Sequence, residues 1–214
     1  MGRALSYLDS EALERGLQEL TADDERLRRL HRANGTPPLW GRQTGFPTLV
    51  KIILEQQVSL DSAAAAYSNL EAAIGPVSPE RFLALGDAEL KQIGFSRQKT
   101  GYCRGIATGL GDGSFDLDGV AHMDDEAARE YLTAVRGIGP WTGDVYLLFA
   151  LRRPDVWPNG DRALVVAMAE NLPLPAPPSY DEAREIADQW RPWRSVAARM
   201  LWHAYLLKRG RSLD

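Results

Sequence analysis

Apolar residues recur at spacings of three and four along most of the chain, the period of one buried helix face. The pattern runs through 5–20 (Leu5, Leu8, Leu13, Leu17, Leu20), 46–73, 79–93, 98–110, 126–135, 142–151, 161–171, 181–190 and 194–208. Helix-start residues stand where such runs begin: Asp9 and Ser10, Ser78 followed by Pro79, and Asp124. Alternating β-branched stretches are missing, so little or no sheet is expected. Proline and glycine clusters at 34–47, 109–119, 152–160 and 173–178 mark loops. The pattern predicts an all-α protein of about eight to ten helices.

The chain has 214 residues, 44% hydrophobic and 25% charged, enough to bury a core in one larger domain or two intertwined lobes. Cys103 is the single cysteine. That excludes an internal disulfide, a cysteine-based zinc site and a cysteine-ligated iron–sulfur cluster, and it suits a reducing compartment. No apolar run approaches the length of a membrane span, and the N-terminus lacks a signal-peptide apolar region. A cytoplasmic protein without a membrane partner is expected.

Charge gives a mixed signal. The net value is −4, from 25 Lys and Arg against 29 Asp and Glu, which taken alone argues against a polyanionic partner. The distribution is polarised, however. Residues 112–130 hold seven acids and one base, Arg129, whereas 91–110 hold Lys91, Arg97, Lys99 and Arg104 and no acid. The last thirty residues carry six bases (Arg191, Arg194, Arg199, Lys208, Arg209, Arg211) against three acids. Solvated helix faces account for any one such run. Together they leave room for a basic face assembled from 91–110 and the C-terminal helix.

One segment stands apart, Leu132-Thr-Ala-Val-Arg-Gly-Ile-Gly-Pro-Trp-Thr-Gly-Asp-Val-Tyr-Leu-Leu-Phe149. A helix runs into Gly137-Ile138-Gly139-Pro140 and a second starts at Trp141. Two glycines flanking an apolar residue permit a tight hairpin with its backbone at the surface. Outward amides at a helix N-terminus then form an anion site, and Pro140 suits helix entry. A plain packing corner would need less. After the second helix comes Asp155-Val-Trp-Pro-Asn-Gly-Asp161-Arg-Ala-Leu. It places Asp161 after a loop and before an apolar helix, where an aspartate also serves simply as a cap.

The string resembles the helix-hairpin-helix motif of DNA-binding proteins, in which a hairpin holds a duplex phosphate without reading sequence. Hairpin, helix, loop and capping aspartate in this order resemble the helix-hairpin-helix (HhH-GPD) DNA glycosylase superfamily. Within it the chain is similar to the DNA-3-methyladenine glycosylase II group from about Phe46 to Lys208. Three further stretches carry the likeness: Leu49-Val-Lys-Ile-Ile-Leu-Glu-Gln-Gln-Val-Ser59, Ile93-Gly-Phe-Ser-Arg-Gln-Lys-Thr-Gly-Tyr102 and Arg191-Pro-Trp-Arg-Ser-Val-Ala-Ala-Arg-Met-Leu-Trp202.

The resemblance implies an all-α fold of two helical lobes with a DNA-binding cleft between them. N-terminal helices over 1–45 would complete the first lobe, 46–115, and the catalytic lobe would span 116–214. Residues 1–45 read as helix plus a proline-rich loop, so the compact form without an N-terminal β domain is expected, Leu39 and Trp40 packing in a core. The activity implied is flipping alkylated bases, of the 3-methyladenine or 7-methylguanine type, out of duplex DNA and hydrolysing the N-glycosidic bond to leave an abasic site. Asp161 is the implied catalytic carboxylate, stabilising an oxocarbenium-like sugar.

Trp141 stands where strand-nicking members have a lysine, which implies no Schiff-base lyase step. Trp141 and Trp202 are the implied aromatic faces for a cationic base. Val145 and Tyr146 lie near the place of a pocket tyrosine in relatives, Val145 departing from it. Gly137, Gly139 and Thr142 are implied to hold a phosphate through their amides, with Arg97, Lys99, Arg194 and Ser195 as further phosphate contacts. Gln57 is implied to fill the gap left by the flipped nucleotide. No cofactor is required. Na+ or K+ in the hairpin would sit on the carbonyls of Thr133, Val135 and Ile138. The expected partner is double-stranded DNA containing alkylated bases, bound by a monomer in the cytoplasm or nucleoid. Two competing readings stay open: a glycosylase for another damaged or mismatched base, and a non-catalytic DNA-binding or lesion-sensing module. Trp141 and the missing cluster cysteines weigh against most of the first, and Asp161 against the second.

Overall fold

A computed structural model describes residues 7–211, so Leu5 of the first apolar run lies outside the described residues. The helices are α1 (Ser10–Asp23), α2 (Glu25–Asn34), α3 (Phe46–Glu55), α4 (Leu60–Ile74), α5 (Pro79–Ala84), α6 (Asp87–Ile93), α7 (Arg97–Asp112), α8 (Asp125–Thr133), α9 (Pro140–Phe149), α10 (Arg162–Asn171), α11 (Tyr180–Asp188) and α12 (Arg194–Leu207). A 3-10 turn covers Gly119–His122, and no strand occurs among the described residues. Short polar side chains start most of them: Asp9, Asp24, Ser59, Ser78, Ser96, Asp124, Asp161 and Ser179 each accept a first-turn amide.

The twelve α-helices among the described residues exceed the expected eight to ten for local reasons. The run 46–73 is broken because Gln56 is extended, Gln57 is left-handed at φ 57°, and Ser59 caps a new helix. The run 79–93 breaks at Leu85 and Gly86, where the Glu89 carboxylate accepts the Gly86 amide at 2.7 Å. Helix α2 is absent from the apolar pattern because only Leu27 and Leu30 are buried on it. Its start is fixed by the Asp24 cap instead.

The chain forms two compact units, Met1–Gly41 with Leu147–Asp214, and Arg42–Tyr146. In the first, α1 and α2 pair and both pack on α12, which also carries α10 and α11. The N-terminal helices thus build with the C-terminal segment and not with 46–115, the lobe expected from the sequence. The cause is visible on α1. Its stripe of Leu13, Leu17 and Leu20 is buried, and Gly16 lets α12 approach so closely that a Cβ there would stand 2.9 Å from Trp193 and Val196. In the second unit α3 packs on α4 and α7, and α5 on α7. Phe46, Phe82 and Phe95 meet edge-on at its centre, with ring centroids 5.7 and 5.4 Å apart. Helix α9 contributes Pro140–Tyr146 to the second unit and Leu147–Phe149 to the first.

Candidate functional site

The hairpin belongs to the second unit. Two tight bonds turn the chain out of α8: Val135 N to Leu132 O at 3.1 Å and Ile138 N to Val135 O at 3.0 Å. Gly137 takes φ 99°, and a Cβ on it would stand 2.5 Å from Tyr102 Cβ, so the position requires glycine twice over. Ile138 is buried behind the turn. Gly143 N then donates to Gly139 O at 2.9 Å, opening α9 behind Pro140. Two side chains fasten this geometry. Gln56 Nε2 donates to Gly137 O at 3.1 Å and to Thr142 Oγ1 at 2.9 Å, tying the end of α3 to the hairpin. Arg129 Nε meets Asp144 Oδ1 at 2.6 Å, and Asp144 is only 3% exposed, so the pair joins α8 to α9. Among the described residues no group accepts from the amides of Gly137, Gly139 or Thr142. Unused donors at a helix entry suit an anion.

Asp161 belongs to the first unit. It is half-buried and caps α10, its Oδ1 accepting Leu164 N at 2.9 Å. The same oxygen accepts Trp202 Nε1 at 3.2 Å. Trp202 is 6% exposed and stacks on Phe149, with centroids 5.3 Å apart and planes 22° apart. The structure therefore brings Asp161 and Trp202 together in one unit, and Gly137, Ile138, Gly139 and Thr142 together in the other.

Several expected contacts are committed elsewhere. Ser195 is fully buried, its hydroxyl donating to Arg153 O at 2.6 Å and accepting Val156 N at 3.0 Å, so it offers no surface to a phosphate. Arg194 is ion-paired to Asp155 at 2.8 Å and to Asp188 at 3.1 Å. Lys99 Nζ donates to Leu54 O at 2.7 Å, ending α3, and burial holds its pKa below the usual lysine range. Val145 and Tyr146 are core residues. The Tyr146 hydroxyl accepts Gly45 N at 3.0 Å, and burial raises its pKa. The expected basic face thins accordingly. Arg104 pairs with Asp87, Lys208 and Arg209 pair with Glu170, and Arg199 is fully buried. Arg97 remains exposed at the start of α7, Gln57 is exposed beyond α3, and Trp141 is half-buried.

Sequence reasoning passed over Gln56, Asp144 and Phe149. Only the acid inside the apolar run of α9 offered a signal, since a carboxylate buried there must be paired. Cys103 is buried, and that burial pushes its thiol up to about 12, offset only in part by Lys99. A cleft of about 410 Å³ in the first unit is lined by Glu19, Asp24, Arg26, Trp190 and Trp193 among others, and not by Asp161 or Trp202. Its polar groups are used internally, since Asp24 accepts Trp190 Nε1 at 2.9 Å and Arg26 Nη2 at 2.6 Å.

The family described as HhH-GPD superfamily base excision DNA repair protein matches residues 50–192. A DNA-3-methyladenine glycosylase of Bacillus subtilis strain 168 is 29% identical over 177 residues, covering 75% of this chain and 58% of the relative. The chain spans about three fifths of the length of the Bacillus subtilis relatives it matches. Among solved structures, a DNA-3-methyladenine glycosidase from Bacillus halodurans is 27% identical with a TM-score of 0.78, covering 96% of this chain and 94% of that one. A Schizosaccharomyces pombe 3-methyladenine DNA glycosylase in complex with abasic DNA shares the fold at 24% identity, with a TM-score of 0.81 and coverage of 88% and 95%. Among the described residues no helix is long and apolar enough to cross a membrane.

Proposed function

The chain belongs to the HhH-GPD superfamily of base excision DNA repair proteins, and on that premise we propose that it is a monofunctional DNA glycosylase for alkylated bases. The observation that carries the reading is Asp161, a half-buried carboxylate held at the N-cap of α10 by Leu164 and Trp202. Cleavage of an N-glycosidic bond passes through an oxocarbenium-like sugar. A fixed carboxylate near the anomeric carbon stabilises that cation and orients the attacking water. Alkylated purines are cationic and leave readily, so stabilising the sugar suffices without a strong acid on the base. Trp141 follows Gly139-Pro140, and with no lysine amine there the reaction ends at an abasic site.

The hairpin is the proposed phosphate holder, through the amides of Gly137, Gly139 and Thr142 that no described residue uses. The backbone carbonyls of Thr133, Val135 and Ile138 are the proposed ligands of a monovalent cation, oxygen donors being what a hard ion takes. Val135 O already accepts Ile138 N, which leaves it a second lone pair. Na+ or K+ held there would add positive charge beneath the bound phosphate. Gln57, left-handed and exposed beyond α3, is the proposed filler of the gap in the flipped duplex. Double-stranded DNA is the proposed partner.

The test is incubation of the protein with methylated duplex DNA, scoring free bases and strand breaks with and without alkali. Base release with breaks only after alkali is the expected result. Breaks without alkali would overturn the monofunctional assignment, and tight binding without release would make the protein a lesion-binding module.

A further inference from the structure

Arg199 is fully buried, and no described carboxylate pairs with it. Nη1 donates to Trp40 O at 2.6 Å and Nη2 to Leu148 O at 3.1 Å, while Nε is buried without a partner. Burial, with Arg152 nearby, lowers its pKa to about 9, so the group stays charged at neutral pH. A buried cation lacking a carboxylate is costly. What it does here is geometric. Leu148 O lies in the last turn of α9, where a cation is favoured. The guanidinium carbon sits 5.2 Å from the Phe149 ring centroid, and Phe149 in turn stacks on Trp202. Arg199 and Trp202 are three residues apart on α12, hence neighbours on one face.

We infer that Trp202 is a positioning residue for Asp161, held by Phe149, which Arg199 in turn backs, and not a wall on which a damaged base stacks. One face of the indole is covered by Phe149, and its N–H is spent on Asp161 Oδ1 at 3.2 Å. Without that donor Oδ1 keeps the Leu164 amide, and the carboxylate loses its second fixed bond. The inference rests on the catalytic reading of Asp161, and the experiment separates the two.

Trp202→Phe keeps an aromatic face against Phe149 and removes only the donor. Benzothienylalanine at the same position does so with unchanged ring area, should the phenylalanine variant fold poorly. Single-turnover release of 7-methylguanine is expected to fall about 10- to 100-fold, the scale of a misplaced reacting group, with abasic-duplex affinity unchanged. Arg199→Met, filling the volume without the fork, is expected to slow release in the same direction. Release at the wild-type rate from either Trp202 variant overturns the inference, as does a loss confined to DNA affinity. The indole N–H resonance of Trp202 gives a readout independent of turnover: it should resist exchange and shift in Asp161→Asn. An unmoved, rapidly exchanging resonance also overturns the inference. If wild-type protein releases no base while the resonance behaves as expected, the glycosylase reading fails and the positioning contact stands.

Discussion

Replacing Gly137 with alanine should damage the hairpin in two separable ways. At φ 99° an L side chain is strained, a cost of about 1–3 kcal/mol. The new Cβ would stand 2.5 Å from Tyr102 Cβ and closer still to Cγ. Those atoms are the root of the tyrosine and not its free end, so α7 or the hairpin must shift. Forcing an atom into a filled site costs roughly another 1–3 kcal/mol. The sum, about 4 kcal/mol, is a large part of the roughly 5–15 kcal/mol that stabilises a folded chain. At about 2–4 °C per kcal/mol for a chain of this size, the melting temperature should drop by about 10 °C. Gly139→Ala is the internal control, because a Cβ there meets nothing within 4 Å and its φ is not positive. Thermal unfolding followed by far-UV circular dichroism reads both variants, and Tyr102→Gly, which removes both Cβ and Cγ, should relieve the steric share of the Gly137→Ala penalty. If Gly137→Ala melts within about 2 °C of wild type, or Gly139→Ala melts as low as Gly137→Ala, the account of the hairpin is wrong.

Gln56→Ala removes both bonds that fasten the hairpin to α3 and strands the buried Thr142 hydroxyl. Urea unfolding should show a loss of about 2 kcal/mol, and an unchanged midpoint would refute the fastening role. Gln57→Gly relieves a left-handed backbone and should leave stability within about 0.5 kcal/mol, while base release slows if the side chain fills the duplex gap. Asp24 sets an acid limit on stability. Burial raises its carboxyl, but hydrogen bonds from Arg26 and Trp190 outweigh that and hold it at about 2, below the ordinary 3.8. Stability from Asp24 is therefore complete above pH 3.8 and lost as pH falls toward about 2. Asp24→Asn should cost on the order of 1 kcal/mol at neutral pH, after allowance for solvent screening, and flatten the acid limb of the unfolding curve over that window.

The helices were legible because burial repeats at helical spacing and because short polar residues cap their starts. The breaks were not, since Gln56 and Gln57 differ from helix interior only in backbone angles that no periodicity records. Helix α2 escaped for the opposite reason: it buries two leucines and is otherwise polar. Asp161 and the hairpin glycines could be picked out as a motif. The phosphate contacts could not, because charge along the chain says nothing about pairing. Arg194, Lys99 and Arg209 read as a basic face and are held by Asp155, by Leu54 O and by Glu170. The net charge of −4 therefore says little about where unpaired cations stand on the surface.

Asp161→Asn decides whether this carboxylate drives base release. The amide keeps the size of the capping side chain but removes its charge, so it cannot stabilise an oxocarbenium-like sugar. Measured side by side on methylated duplex and on abasic duplex, this variant should lose base release while binding abasic DNA as the wild type does. Release at an undiminished rate would take Asp161 out of the mechanism and contradict the account.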